Sequence, residues 1–132
     1  MGLRPEVERV LDAVDGLVRG GAAFSAEADA PAWWCNGTEV AHFDGDLLDL
    51  RLGRKLITEL RRAGLDVGGE DGRIRRRTPS SDWIEVAVAA QADLDLVRDL
   101  ALRAAAAHAP PPGVPPKPPP SGPDLERRRR FH

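Results

Sequence analysis

The sequence predicts an α+β domain, an antiparallel sheet of about five strands with helices packed on one face, in the order α-β-β-β-α-β-β-α. Three observations predict it. Apolar residues recur at spacings of three and four near both ends of residues 1–108. The dipeptide Asn36-Gly37, which strongly favours a two-residue hairpin turn, sits between two apolar runs. In "LLDLRL", Leu48, Leu50 and Leu52 alternate with Asp49 and Arg51, the period of a half-buried strand.

The first helix begins at Pro5, whose missing N–H costs nothing at a helix start, with Glu6 and Glu8 at the positive end of the dipole. Val7, Val10, Leu11, Val14, Leu17 and Val18 give it one apolar face, and Gly20-Gly21 is the expected stop. Residues 22–31 carry weak signals and read as a loop or a short edge strand. "AWWC" and "TEVAHF" then flank Asn36-Gly37, and a second turn, "DGD" at 44–46, leads into "LLDLRL", so three strands form a meander. "RKLITELRRAG" places Leu56, Ile57 and Leu60 on one face of a second helix that stops at Gly64. "RIRRR" at 73–77 reads as a charged edge strand, and Ile84, Val86 and Val88 make the apolar side of "WIEVAVA". Leu94, Val97, Leu100, Ala101 and Ala104 mark a closing helix.

Residues 1–108 form the single domain. Residues 109–132 hold nine of the twelve prolines and end in "RRRRFH", which predicts a proline-rich, disordered tail. The domain carries a net charge of −5 and the tail +3, and an acidic body argues against broad binding to a phosphate backbone. One cysteine cannot form an internal disulfide, and the N-terminus has neither a signal-peptide core nor a membrane-spanning run, so a cytoplasmic location is expected. The arginine-heavy, lysine-poor, alanine-rich composition suggests a GC-rich bacterial genome.

Two segments, "GTEVAHFDGDLLDLRLGRKLITELRRAG" and "TPSSDWIEVAVAAQADLDLVRDLALRAA", carry a shared pattern. It consists of a Glu-aliphatic-x-His strand, an apolar strand followed by a helix, a Pro-x-Ser-x-Trp approach to another strand, and a closing helix. Over roughly residues 37–105 the chain resembles the short bacterial proteins called luciferase-domain, or luciferase family, proteins. The name implies no luciferase activity, because flavin luciferases are much longer barrels. Members often read His-aliphatic-His where this chain reads His42-Phe43-Asp44, and carry histidine where it reads "GGEDG". A histidine cluster is therefore missing.

The residues themselves leave three functional readings open. The lead reading is a binding or accessory module that uses the hairpin around Trp33, Trp34 and His42, with Arg51 and Arg77 at the rim and Trp83 helping to line a pocket. Adjacent in a strand, Trp33 and Trp34 must face opposite sides of the sheet. The alternative is a small enzyme, or a metal site, using His42 and Asp44, which alternation places on one face together with Thr38 and Val40. The third reading is nucleic-acid binding through Arg73, Arg75, Arg76, Arg77 and the tail, although no aromatic residue interleaves these arginines to stack bases. A two-residue turn pairs Cys35 with Thr38, Trp34 with Glu39 and Trp33 with Val40, and so puts His42 opposite about Pro31, out of reach of Cys35. His108 suits a helix C-terminus, and His132 lies in the tail. No cofactor or metal motif is found, and no phosphate loop or nucleophile elbow. The partner readings are a protein bound through the hairpin or the proline-rich tail, and no membrane.

Overall fold

The computed structural model describes all residues except Met1, Ala26, Ala28, Glu70, Asp71, Phe131 and His132. The "GGEDG" departure falls partly, and His132 wholly, outside the described residues. Helix α1 (Arg4–Asp12) is followed by strands β1 (Val18–Gly21), β2 (Pro31–Cys35), β3 (Thr38–Asp44) and β4 (Leu47–Arg51). Helix α2 (Arg54–Arg62), strands β5 (Ile74–Arg75) and β6 (Trp83–Ala87), and helices α3 (Gln91–His108) and α4 (Pro123–Arg130) complete the chain. The six strands form one antiparallel sheet in the order β1-β2-β3-β4-β6-β5.

The class is the expected one, with one strand more. The first helix stops at Asp12, short of Gly20-Gly21, and the turn that follows passes through Gly16 at φ +94°, a conformation a helix cannot continue through. Val14 and Leu17 remain buried in the turn that follows, so the apolar spacing persists after the helix has ended. Val18–Gly21 instead join the sheet edge beside β2.

The main core lies between the sheet and helices α1 and α3. Val7, Leu11, Trp33, Phe43, Leu48, Leu50, Ile84, Val97 and Leu100 fill it, and Ile57 of α2 joins from the side. Trp33 Nε1 donates to Asp12 Oδ1 at 2.9 Å, which anchors α1 to the sheet. Arg19 and, after it, the Trp33 N–H hold the Asp12 carboxyl below its usual range.

Helix α3 starts without a side-chain acceptor at Ala90, but Asp93 reaches back to accept the Ala89 and Ala90 N–H groups at 3.0 and 2.9 Å. These bonds, aided by Arg73, lower the Asp93 pKa. A carboxyl depressed on folding stabilises above its unfolded value of about 3.9, and that contribution is lost as pH falls through the folded value. Asp93→Ala should therefore cost about 1–2 kcal/mol at pH 7 and progressively less below pH ~4, read by urea denaturation at several pH values. An undiminished cost at pH 3 would contradict the assignment.

The opposite face of the sheet is covered only in part. A small cluster of Ala22, Ala23, Ala30, Ala32 and Trp34 meets Leu125 of α4. Thus part of the segment expected to be disordered forms a helix, and this helix packs on the face away from α1 and α3. Its single leucine falls on an aromatic ring that would otherwise stand in water, which gives the segment something to bury. The rest of the open face, over β3, β4 and β6, carries the polar residues described next.

Candidate functional site

The Asn36-Gly37 turn forms as expected, with φ of +50° and +76°, and Cys35 pairs with Thr38 and Trp34 with Glu39. Beyond that pair the register shifts. Trp33 pairs with Ala41 and Ala32 with His42, so the expected Trp33–Val40 and Pro31–His42 pairings are each off by one. The cause is a β-bulge that seats Val40 and Ala41 side by side against the core. Strict alternation would group Val40 with His42 and turn Glu39 away. The bulge reverses this, and Glu39 comes to lie on the same face as His42.

On that face one row crosses the sheet, because Ala32 pairs with His42, His42 with Asp49, Asp49 with Glu85, and Glu85 with Arg75. His42 Nε2 lies 3.0 Å from Asp49 Oδ2, and Nδ1 lies 3.9 Å from Glu39 Oε2. All three side chains are buried. Glu39 also accepts the Ala23 and Phe24 N–H groups, each at 3.0 Å, and so ties the 22–24 loop to β3. Burial raises the Glu39 pKa, against the pull of His42 and the two N–H groups. His42 Nδ1 and Asp49 Oδ1 are buried without a hydrogen-bond partner.

Above this floor is a cavity of about 240 Å³, lined by Phe24, His42, Asp44, Asp49, Arg77, Ser81, Trp83 and Glu85. Trp83 lies 4.9 Å from the His42 ring and Phe24 lies 5.8 Å from Trp83, so two aromatic rings form one wall. Arg77 closes the rim, 2.8 Å from Asp44 and 3.5 Å from Glu85.

The expected residues thus separate into two groups. His42, Asp44, Arg77 and Trp83 meet at the cavity, while Arg51 stands beside it, 3.9 Å from Asp82 and 5.9 Å from the Trp83 ring. Trp33 is wholly buried beneath α1 and α3, and Trp34 is covered by α4, so neither tryptophan lines the cavity. The partner of His42 is Asp49, and Asp44 is turned to Arg77. Glu39, Asp49, Phe24, Ser81 and Glu85 were not foreseen. Asp49 had a signal, because a tight turn at Gly45-Asp46 pairs Asp44 with Leu47 and so sets His42 across from Asp49.

The arginine segment does not present a basic stripe. Arg73 lies 3.0 Å from Asp93, Arg76 donates to the Ser81 carbonyl, Arg77 is held by two acids, and Arg54 lies 3.8 Å from Asp82. Arg75 is exposed at the sheet edge. Among the described residues, no group of three or more His, Cys, Asp or Glu is arranged to hold a metal ion, and no helix is long and apolar enough to cross a membrane.

No family model matches this chain, and comparison with curated proteins and with solved structures gives no match.

Proposed function

We propose that this protein is a small-molecule-binding module whose site is the His42–Trp83 cavity, and that its ligand is a small flat cation. The observation that carries the reading is the lining. Three carboxylates, Asp44, Asp49 and Glu85, outnumber one arginine around an aromatic wall. Aromatic faces and carboxylates both attract cations, the more so where water is excluded. A volume of about 240 Å³ suits a ligand smaller than most drugs.

The enzyme alternative is weaker. A general base must reach its substrate, and both ring nitrogens of the buried His42 face carboxylates, Nε2 that of Asp49 at 3.0 Å and Nδ1 that of Glu39 at 3.9 Å. Nucleic-acid binding is weaker still, since Arg73 and Arg77 are held by acids and Arg76 by a carbonyl, which leaves Arg75, exposed at the sheet edge. The likeness of residues 37–105 to luciferase-domain proteins remains part of the proposal and rests on the residues that carry it; it names no ligand.

Benzamidine, a flat amidinium, is the probe for this reading. Titrated into the ¹⁵N-labelled protein, it should shift the Trp83 indole and Ser81 amide signals with a Kd in the millimolar range, about what its few atoms can supply. Trp83→Ala should weaken binding about 5- to 30-fold. Benzoate, the same shape with opposite charge, should leave those signals in place. Benzoate binding as tightly as benzamidine would refute the charge argument, and movement of neither signal would refute the site.

A further inference from the structure

The groove around Trp34 is cut to accept a chain. At Gly21 a Cβ atom would lie 2.7 Å from Leu125 Cδ2, and at Gly20 it would lie 3.1 Å from the Trp34 ring and 3.2 Å from Pro119. Two glycines thus give the space that Leu125 and Pro119 occupy. Polar contacts set the direction of the segment. The Lys117 N–H donates to Asn36 Oδ1 at 2.9 Å, Arg128 donates to the Gly37 carbonyl at 3.2 Å, and Arg129 donates to the Ala22 carbonyl at 2.9 Å. The Arg128 guanidinium also stands 5.5 Å from the Trp34 ring centroid. Prolines at 118–120 restrict the segment before it docks, which lowers the entropy lost on seating.

The contact is also built to open. An isolated eight-residue helix is marginal in water, and no residue of α4 is fully buried. Between Lys117 and Arg128 the segment spans a cavity of about 920 Å³ over the Asn36-Gly37 turn, far from the close packing of a core. Among the described residues, the main core takes none beyond Ala105.

We propose that the Trp34 groove is a peptide-recognition site whose resident ligand is the chain's own segment 117–130, and that seating this segment fixes the cavity wall. The link is short. Arg129 holds the carbonyl of Ala22, the next two N–H groups are held by Glu39, and Phe24 is the wall itself. Only the importance of that wall for a ligand rests on the proposed function; the groove and its occupant do not.

The full chain, Leu125→Asp and Arg129→Ala test this together. Trypsin cleavage after Arg127, Arg128 and Arg130, sites that all three proteins keep, follows the population of the released segment, and both variants should be cut there about tenfold faster than the unmodified chain. Amide exchange at Ala23 and Phe24 should speed up in the same variants, while exchange in α3 stays unchanged. A synthetic peptide of residues 114–130, added to Leu125→Asp, should restore the Trp34 indole signal and slow the two amides. Equal cleavage in all three proteins would overturn the docking, and a peptide without effect would overturn recognition. Faster cleavage with unchanged Ala23 and Phe24 exchange would overturn the link to the wall. None of these readouts uses benzamidine, so failure of the cavity to bind it is a separate result.

Discussion

Replacing Trp33 by alanine should cost about 3–5 kcal/mol, a large share of the 5–15 kcal/mol that a domain of this size commands. The indole is wholly buried, and Phe43 meets it edge-on at 5.9 Å. Its N–H is one of the two groups holding Asp12, the last residue of α1. Removing the ring therefore opens a cavity and frees the helix end at once. Trp33→Phe keeps most of the volume and should cost less than half as much. Urea denaturation at pH 7 separates the two, and an alanine variant losing under 1.5 kcal/mol would show that α1 is held elsewhere.

The His42–Asp49 pair should give the second large effect, and its form matters more than its size. His42→Leu leaves a buried carboxylate without its partner, which costs about 3–5 kcal/mol. Asp49→Leu leaves a buried ring N–H without an acceptor, at about 1–3 kcal/mol. The double replacement removes both polar groups together and should fall short of the sum by about 1–3 kcal/mol. Denaturation of the four proteins completes the cycle. Additivity within about 0.5 kcal/mol would mean that the 3.0 Å contact carries no coupling, and the cavity floor would then need another explanation.

Glu39 acts on stability in the opposite sense to Asp93. Its pKa is raised on folding, so its contribution is full below the unfolded value of about 4.3 and is lost as pH rises through the folded one. The depressed acids Asp12 and Asp93 lose theirs as pH falls.

Local signals carried much of the architecture. Asn36-Gly37 located the hairpin, the alternating leucines located β4, and the spacing of Leu94, Val97 and Leu100 located α3. Apolar spacing overstates the extent of α1, because Val14 and Leu17 stay buried at helical spacing in the turn around Gly16 after the helix has ended. Half of the site was legible too. His42 was visible as a strand histidine, and Asp49 follows from the second turn by the arithmetic that gave the first hairpin. Glu39 was not, because alternation put it on the wrong face and nothing in "TEVAHF" marks where a ladder slips. The cover on Trp34 was equally hidden. It depends on one leucine among charged residues, whose value comes only from a groove formed far away in the chain.

The bulge in β3 has a consequence for how this protein can vary. The face that Glu39 presents is decided by how many residues separate it from His42, and no side chain encodes that number. Exchanging Val40 for another aliphatic residue changes packing and leaves the count alone. A single-residue insertion between Glu39 and His42 would turn the carboxylate to the far side, release Ala23 and Phe24, and undo one side of the cavity without altering any residue that lines it. Length polymorphism in this short stretch is therefore a stricter constraint than substitution.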